Sequence, residues 1–175
     1  MDLRKERTKK NIINAFIELR SRKPLERITV KELSEKALIN KATFYSHYLD
    51  IYDLSSQLEN ETIDSIIMNV SNFDNMIEDP KQTTQELVGA FLSQMQLISI
   101  LFSDSRSSVL SSCLEKRFKE TIYEKHPEYR TLEMDVKLTM VIQGSYYAFA
   151  QNYKNTDVAE LARIIGESNE RMLKS

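Results

Sequence analysis

Apolar residues recur along this chain in steps of three and four, the spacing that gathers side chains onto one face of an α-helix. Ile12, Ile13, Phe16 and Leu19 do so in a segment whose other positions carry Lys or Arg, which predicts a helix from about Arg4 to Arg22, ended by Pro24. Thr29 followed three residues later by Glu32 is a capping-box pattern. In it the threonine hydroxyl and the glutamate carboxylate satisfy backbone N–H groups at a helix start, so a short helix begins at Val30 with Val30, Leu33 and Ala37 buried. Leu38, Ile39 and Asn40 then make a turn, and Asn40 caps a third helix over about Lys41 to His47. Asp50 caps a much longer helix carrying Leu54, Leu58, Ile63, Ile66, Ile67 and Val70, which runs out in the polar stretch SNFDNMIEDPK.

Beyond Pro80 the pattern continues through Leu87, Phe91, Met95, Ile98 and Phe102, and after the Ser-rich SDSRSS turn through Leu110, Leu114, Phe118 and Ile122. Two further helices follow. Leu138, Val141, Ser145, Ala148 and Asn152 line one stripe, and Val158, Leu161, Ile165, Ser168 and Met172 line another whose alternating steps suit helix-to-helix packing. Three glycines, three prolines and no tryptophan leave few punctuators, which agrees with an all-α chain. No internal repeat or low-complexity segment interrupts it, and the domain border is expected along the fourth helix rather than in a flexible linker.

Charge changes the picture of the first quarter. The net charge is only −2, yet residues 1–48 contain 12 Lys or Arg against 6 Asp or Glu, while the rest of the chain carries 12 against 20. A basic module beside an acidic body is the electrostatic footprint of a nucleic-acid-binding head. The lone Cys113 has no partner for an internal disulfide, and its neighbours Leu110, Leu114 and Phe118 make it a small hydrophobe. MDLRKERTKK leads into no continuous apolar run, and LVGAFLSQMQLISILF is too short and polar to span a membrane, so a cytoplasmic protein without membrane association is expected. There is no Gly-rich phosphate loop and no nucleophile elbow, and the two histidines lack metal-ligand company; neither an enzyme nor a cofactor or metal site is expected.

The segment ITVKELSEKALINKATFYSHYLDIYDL holds a short helix, a tight turn and a second short helix. A DNA major groove about 12 Å wide admits such a second helix by its N-terminal end. Lys41, Ala42 and Thr43 occupy that leading edge: Lys41 is a donor to guanine O6 or N7, Ala42 is small enough to meet a thymine methyl, and Thr43 is able to bond a base or a phosphate. Tyr45, Ser46 and His47 are donors for phosphates.

At these residues the chain resembles the tetracycline-repressor (TetR/AcrR) family. The recognition helix of that family typically reads K-x-T-[LF]-Y-x-H-[FY]; here it is KATFYSHY, and the resemblance covers roughly the first fifty to sixty residues. It implies Thr29, Lys41, Thr43, Tyr45 and His47 at the DNA, with Phe44 and Tyr48 in the domain core; Asn40, Ala42 and Ser46 are expected in the same interface from their places at that helix. Three positions depart from the family pattern: Leu38 stands at the usual glycine of the turn, Leu49 at the usual turn residue after the aromatic, and Ile51 at the common lysine opening the fourth helix. Without that lysine, the basic stretch of Arg4, Lys5, Arg7, Lys9 and Lys10 is expected to carry more of the salt-dependent affinity.

The fold implied is a three-helix helix-turn-helix DNA-binding domain over residues 1–50, followed by a helical regulatory and dimerisation domain over 51–175. The resemblance also implies a homodimer made by the last two helices, acting as a repressor on palindromic double-stranded operator DNA, with half-sites about one helical turn apart, roughly 34 to 36 Å, or a multiple. It implies an effector cavity within residues 85–150. Phe91, Met95, Phe102, Phe118, Met140, Tyr146 and Tyr147 either line such a cavity or are ordinary core. A coactivator or adaptor whose body binds a protein instead of a small molecule is the alternative.

Overall fold

The computed structural model describes residues 3–71 and 73–175; Met1, Asp2 and Asn72, the last within the SNFDNMIEDPK stretch, lie outside the described residues. Among the described residues the chain is all-helical, with no strand. Helix α1 spans Leu3–Arg20, α2 Val30–Lys36, α3 Lys41–Tyr45 and α4 Ile51–Met68. After these come α5 at Pro80–Ser93, α6 at Met95–Leu101, α7 at Leu110–Lys125, α8 at Leu132–Asn152 and α9 at Val158–Leu173. The run from Leu87 to Phe102 is therefore two helices rather than one, broken at Gln94.

Helix starts follow side-chain capping. Thr29 Oγ1 accepts from the Glu32 backbone N–H at 3.2 Å, Asp79 caps α5 with Pro80 behind it, Thr131 caps α8 and Asp157 caps α9. Asp50 caps α4 through the Asp53 N–H at 2.8 Å, and the Asp53 carboxylate reaches back to the Leu49 N–H at 2.9 Å. That backbone donor, then the Gln57 amide, hold the Asp53 carboxyl below its ordinary range. At α2 the reciprocal half of the capping box is replaced: the Glu32 carboxylate pairs with Lys23, whose cation outcompetes a backbone N–H for it.

Two compact units form, one from residues 1–61 with 96–107, the other from 62–95 with 108–175. In the first, α1 packs on α2 and α2 on α3 around Ile12, Phe16, Leu25, Leu33 and Phe44, all buried. This unit takes in α6 and the following 3₁₀ turn Asp104–Arg106, which the sequence reading assigns to the body. Polar contacts tie residues 103–106 to the rest of this unit. The buried Arg20 guanidinium donates to Asp104 Oδ2 at 3.1 Å, to the Ser103 carbonyl at 2.8 Å and to the Lys23 carbonyl at 3.1 Å. Arg106 forks onto the buried Glu59 carboxylate, with Nε 2.9 Å from Oε1, and Ser55 donates to that same oxygen at 2.8 Å. Ser105 donates to Glu26.

In the second unit α9 lies between α5 and α8. The approach to α5 is close at Gly166, where a Cβ would stand 3.0 Å from the Lys81 carbonyl oxygen and 3.1 Å from its Cα. Phe149, Leu161 and Ile165 form a buried cluster against which Phe91, Leu92 and Met95 pack. Of the α8 stripe read from the sequence, Leu138 and Val141 are buried, Ser145 bonds Asn169 of α9 and Ala148 is half-buried, whereas Asn152 at its end is exposed. A different face of α8 stays apolar and exposed: Leu132, Val136, Met140 and Tyr147.

Candidate nucleic-acid interface

The turn that joins α2 to α3 sets the direction of α3. Leu38 takes φ 57, the left-handed region that costs an L side chain about 1–2 kcal/mol, and its own side chain is 91% exposed. It stands at the usual glycine of the family pattern and adopts the conformation for which glycine is chosen. Asn40 then starts α3: its Oδ1 accepts from the Thr43 backbone N–H at 2.7 Å and from Thr43 Oγ1 at 2.9 Å. A helix of five residues is too short to be stable by propensity, so this cap and the burial of Phe44 define it.

Around α3 the side chains divide cleanly. Phe44 and Tyr48 are buried, with Phe44 in ring contact with Tyr48 at 5.8 Å and edge-on to Tyr45 at 5.5 Å. Asn40, Lys41, Ala42, Tyr45 and Ser46 are exposed, Tyr45 by 56%, while Thr43 and His47 are half-buried. The His47 ring leans on Tyr48 at 6.2 Å. Thr29, at the head of α2, is exposed.

Local hydrogen bonds link the side chains of this helix: Thr43 Oγ1 donates to Asn40 Oδ1 at 2.9 Å, and Ser46 Oγ donates to the Thr43 carbonyl at 2.7 Å. The outward donors are the Asn40 amide, the Lys41 ammonium, the Thr29 hydroxyl proton and the Tyr45 phenol.

The departures named in the sequence have different fates. Ile51 is buried at the start of α4, a core position at which an ammonium would be desolvated, and the neighbouring Tyr52 is exposed instead. Leu49 is exposed. The basic stretch forms the first turns of α1, with Arg4, Lys5, Arg7 and Lys10 exposed. Lys9 is diverted to Glu61 at 3.0 Å, and that hydrogen bond raises its pKa despite partial burial.

The second unit contains a cavity of about 80 Å³. Phe91, Phe118 and Tyr146 lie on its wall. The other residues proposed for an effector pocket lie elsewhere: Met95 packs on the Phe149 cluster, Phe102 is buried in the first unit, and Met140 and Tyr147 are 54% and 53% exposed. Periodicity marks Met140 and Tyr147 as helical but not as inward-facing. Thr84, Ser145 and Asn169 also line the cavity; Ser145 lies on the α8 stripe, whereas Thr84 and Asn169 fall outside the apolar pattern read along the chain. No helix of the described residues is long and apolar enough to cross a membrane, and no group of three or more His, Cys, Asp or Glu among them is arranged to hold a metal ion.

No protein-family model and no curated protein matches this chain.

Proposed function

We propose that this protein is a DNA-binding transcriptional regulator of the tetracycline-repressor type, a repressor that binds a palindromic operator as a homodimer and is released by an effector. The observation that carries the reading is the two-sided third helix. Phe44 is buried, while Asn40, Lys41, Ala42 and Tyr45 are exposed, behind a capped α2 and a tight left-handed turn. That arrangement suits insertion of the α3 N-terminus into a major groove, with Lys41 on a guanine and Thr43 on a base or a phosphate. The exposed apolar side chains Val136, Met140 and Tyr147 on α8 and Ile164 on α9 support dimerisation through the last two helices, since a second copy would cover them.

Selection of binding sites from random DNA with the purified chain tests the reading. A palindrome should be enriched, and Lys41→Ala should relax one position in each half-site at a cost of about 1–3 kcal/mol. Absence of any enriched sequence would overturn it.

A further inference from the structure

The 80 Å³ cavity is lined by residues of α4, α5, α7, α8 and α9 and by Met76, and its walls are almost wholly apolar. Among the described residues no Asp, Glu, Lys, Arg or His lines it. The polar contribution comes mainly from three side chains on three helices, Thr84 on α5, Ser145 on α8 and Asn169 on α9. Asn169 Nδ2 donates to Thr84 Oγ1 at 3.0 Å and to Ser145 Oγ at 3.0 Å, and Ser145 Oγ lies 3.2 Å from Asn169 Oδ1, to which it donates.

Both amide protons of Asn169 and the proton of Ser145 are thereby engaged, whereas the Thr84 hydroxyl proton and one lone pair of Asn169 Oδ1 are not. The trio thus presents one donor and one acceptor beside an apolar chamber. Tyr146 adds a phenol on the same wall, whose pKa is raised first by burial and then by the neighbouring Tyr147. The phenol accordingly stays neutral.

We infer that this cavity binds a small neutral molecule, an aromatic or branched hydrocarbon skeleton bearing one hydroxyl or carbonyl group, whose polar end is read by Thr84 and Asn169. Size follows from the volume: one water requires about 10–15 Å³ on this scale, so the space admits on the order of six to eight non-hydrogen atoms. Exclusion of ions follows from the lining, because a carboxylate or ammonium would lose its hydration without meeting a countercharge. The inference supplies the chemical class of the effector in the regulatory reading above. The binding itself is independent of DNA.

The test uses the full chain without DNA. Ligand-observed NMR would screen a fragment set of at most about eight non-hydrogen atoms divided equally among neutral, anionic and cationic molecules, with p-cresol, toluene and benzylammonium as the size-matched probes. Neutral fragments should dominate the hits, p-cresol should bind more tightly than toluene, and benzylammonium should not bind. Leu87→Phe, which fills the chamber, should weaken p-cresol at least about tenfold. Thr84→Val should remove p-cresol's advantage over toluene, about threefold to tenfold for one buried hydrogen bond, and Thr84→Ser should restore it.

Thermal melting of each variant establishes that it is folded. Hits that are mainly charged, hits unaffected by Leu87→Phe in a folded variant, or no hits at all would each overturn the inference. Because none of these measurements involves an operator, failure here is distinct from failure to select a DNA site.

Discussion

Substitution of Asn40 by aspartate separates the folding of the third helix from its proposed use. The Asn40 side chain has two ends: Oδ1 holds the Thr43 N–H and hydroxyl, while the amide nitrogen is exposed. Asn40→Asp keeps the acceptor and adds a negative charge at a helix N-terminus, which is worth about 0.3–1 kcal/mol in favour of the fold. On DNA the same change removes a donor, worth about 1.5–3 kcal/mol when its acceptor is charged. It also sets a carboxylate near a phosphate, a repulsion of about 0.6 kcal/mol at 7 Å in water. The expected result is an unchanged or slightly raised urea midpoint together with operator binding weakened roughly thirtyfold to over a hundredfold, read by fluorescence anisotropy. Asn40→Ala should lower both, since loss of the cap costs about 1 kcal/mol and α3 is short. Undiminished affinity of Asn40→Asp for the selected operator would remove Asn40 from the interface, and a clear loss of stability would refute the cap.

Three further perturbations bear on other parts of the molecule. Leu38→Gly should stabilise the fold by up to about 1 kcal/mol, the relief of a left-handed leucine less the extra entropy of the unfolded glycine chain; a lower urea midpoint would mean that the exposed side chain packs on something. The Glu115 carboxyl is held down to about 2, chiefly by the Thr139 hydroxyl and then by Gln143 and Lys119. Its stabilising contribution is therefore present above about pH 4.5 and lost as the pH falls toward 2, so the stability gap between wild type and Glu115→Gln should shrink by on the order of 3 kcal/mol over that range in urea titrations. A gap that does not change with pH would refute this assignment. Met140→Glu on the exposed α8 face should give a monomer in analytical ultracentrifugation and weaken operator binding about a hundredfold through loss of two-site attachment; a variant that remains dimeric would exclude that face.

Much of the helical framework was legible because three- and four-residue spacing and caps are local signals. Thr29, Asn40 and Asp50 cap α2, α3 and α4 as their positions predict, and Phe44 and Tyr48 turn inward. What escaped depends on contacts between distant segments. Periodicity marks Leu138 and Val141 as one stripe without telling whether a neighbour in the same chain or a second copy covers it; here both are buried within the chain. The exposure of Met140 and Tyr147 is invisible for the same reason. Glu32 has two competing partners in the sequence, a backbone N–H nearby and Lys23 nine residues back, and only the folded geometry decides for the cation. The hydrogen bonds that Thr43 and Ser46 make within α3 also follow from three-dimensional neighbours.

The salt bridges that tie Asp104 and Arg106 to the first unit bear on how that unit is moved from one chain to another. Cutting the chain after Glu61 would appear from the sequence to yield a self-sufficient module. It would also strip Asp104 and the Ser103 carbonyl from the buried Arg20 and remove Arg106 from the buried Glu59. Leaving a buried charge alone costs about 3–5 kcal/mol, a large part of the stability of a small domain. A chimera that transplants this head must therefore carry two pieces of chain, with Ser103, Asp104 and Arg106 travelling alongside α1 to α4.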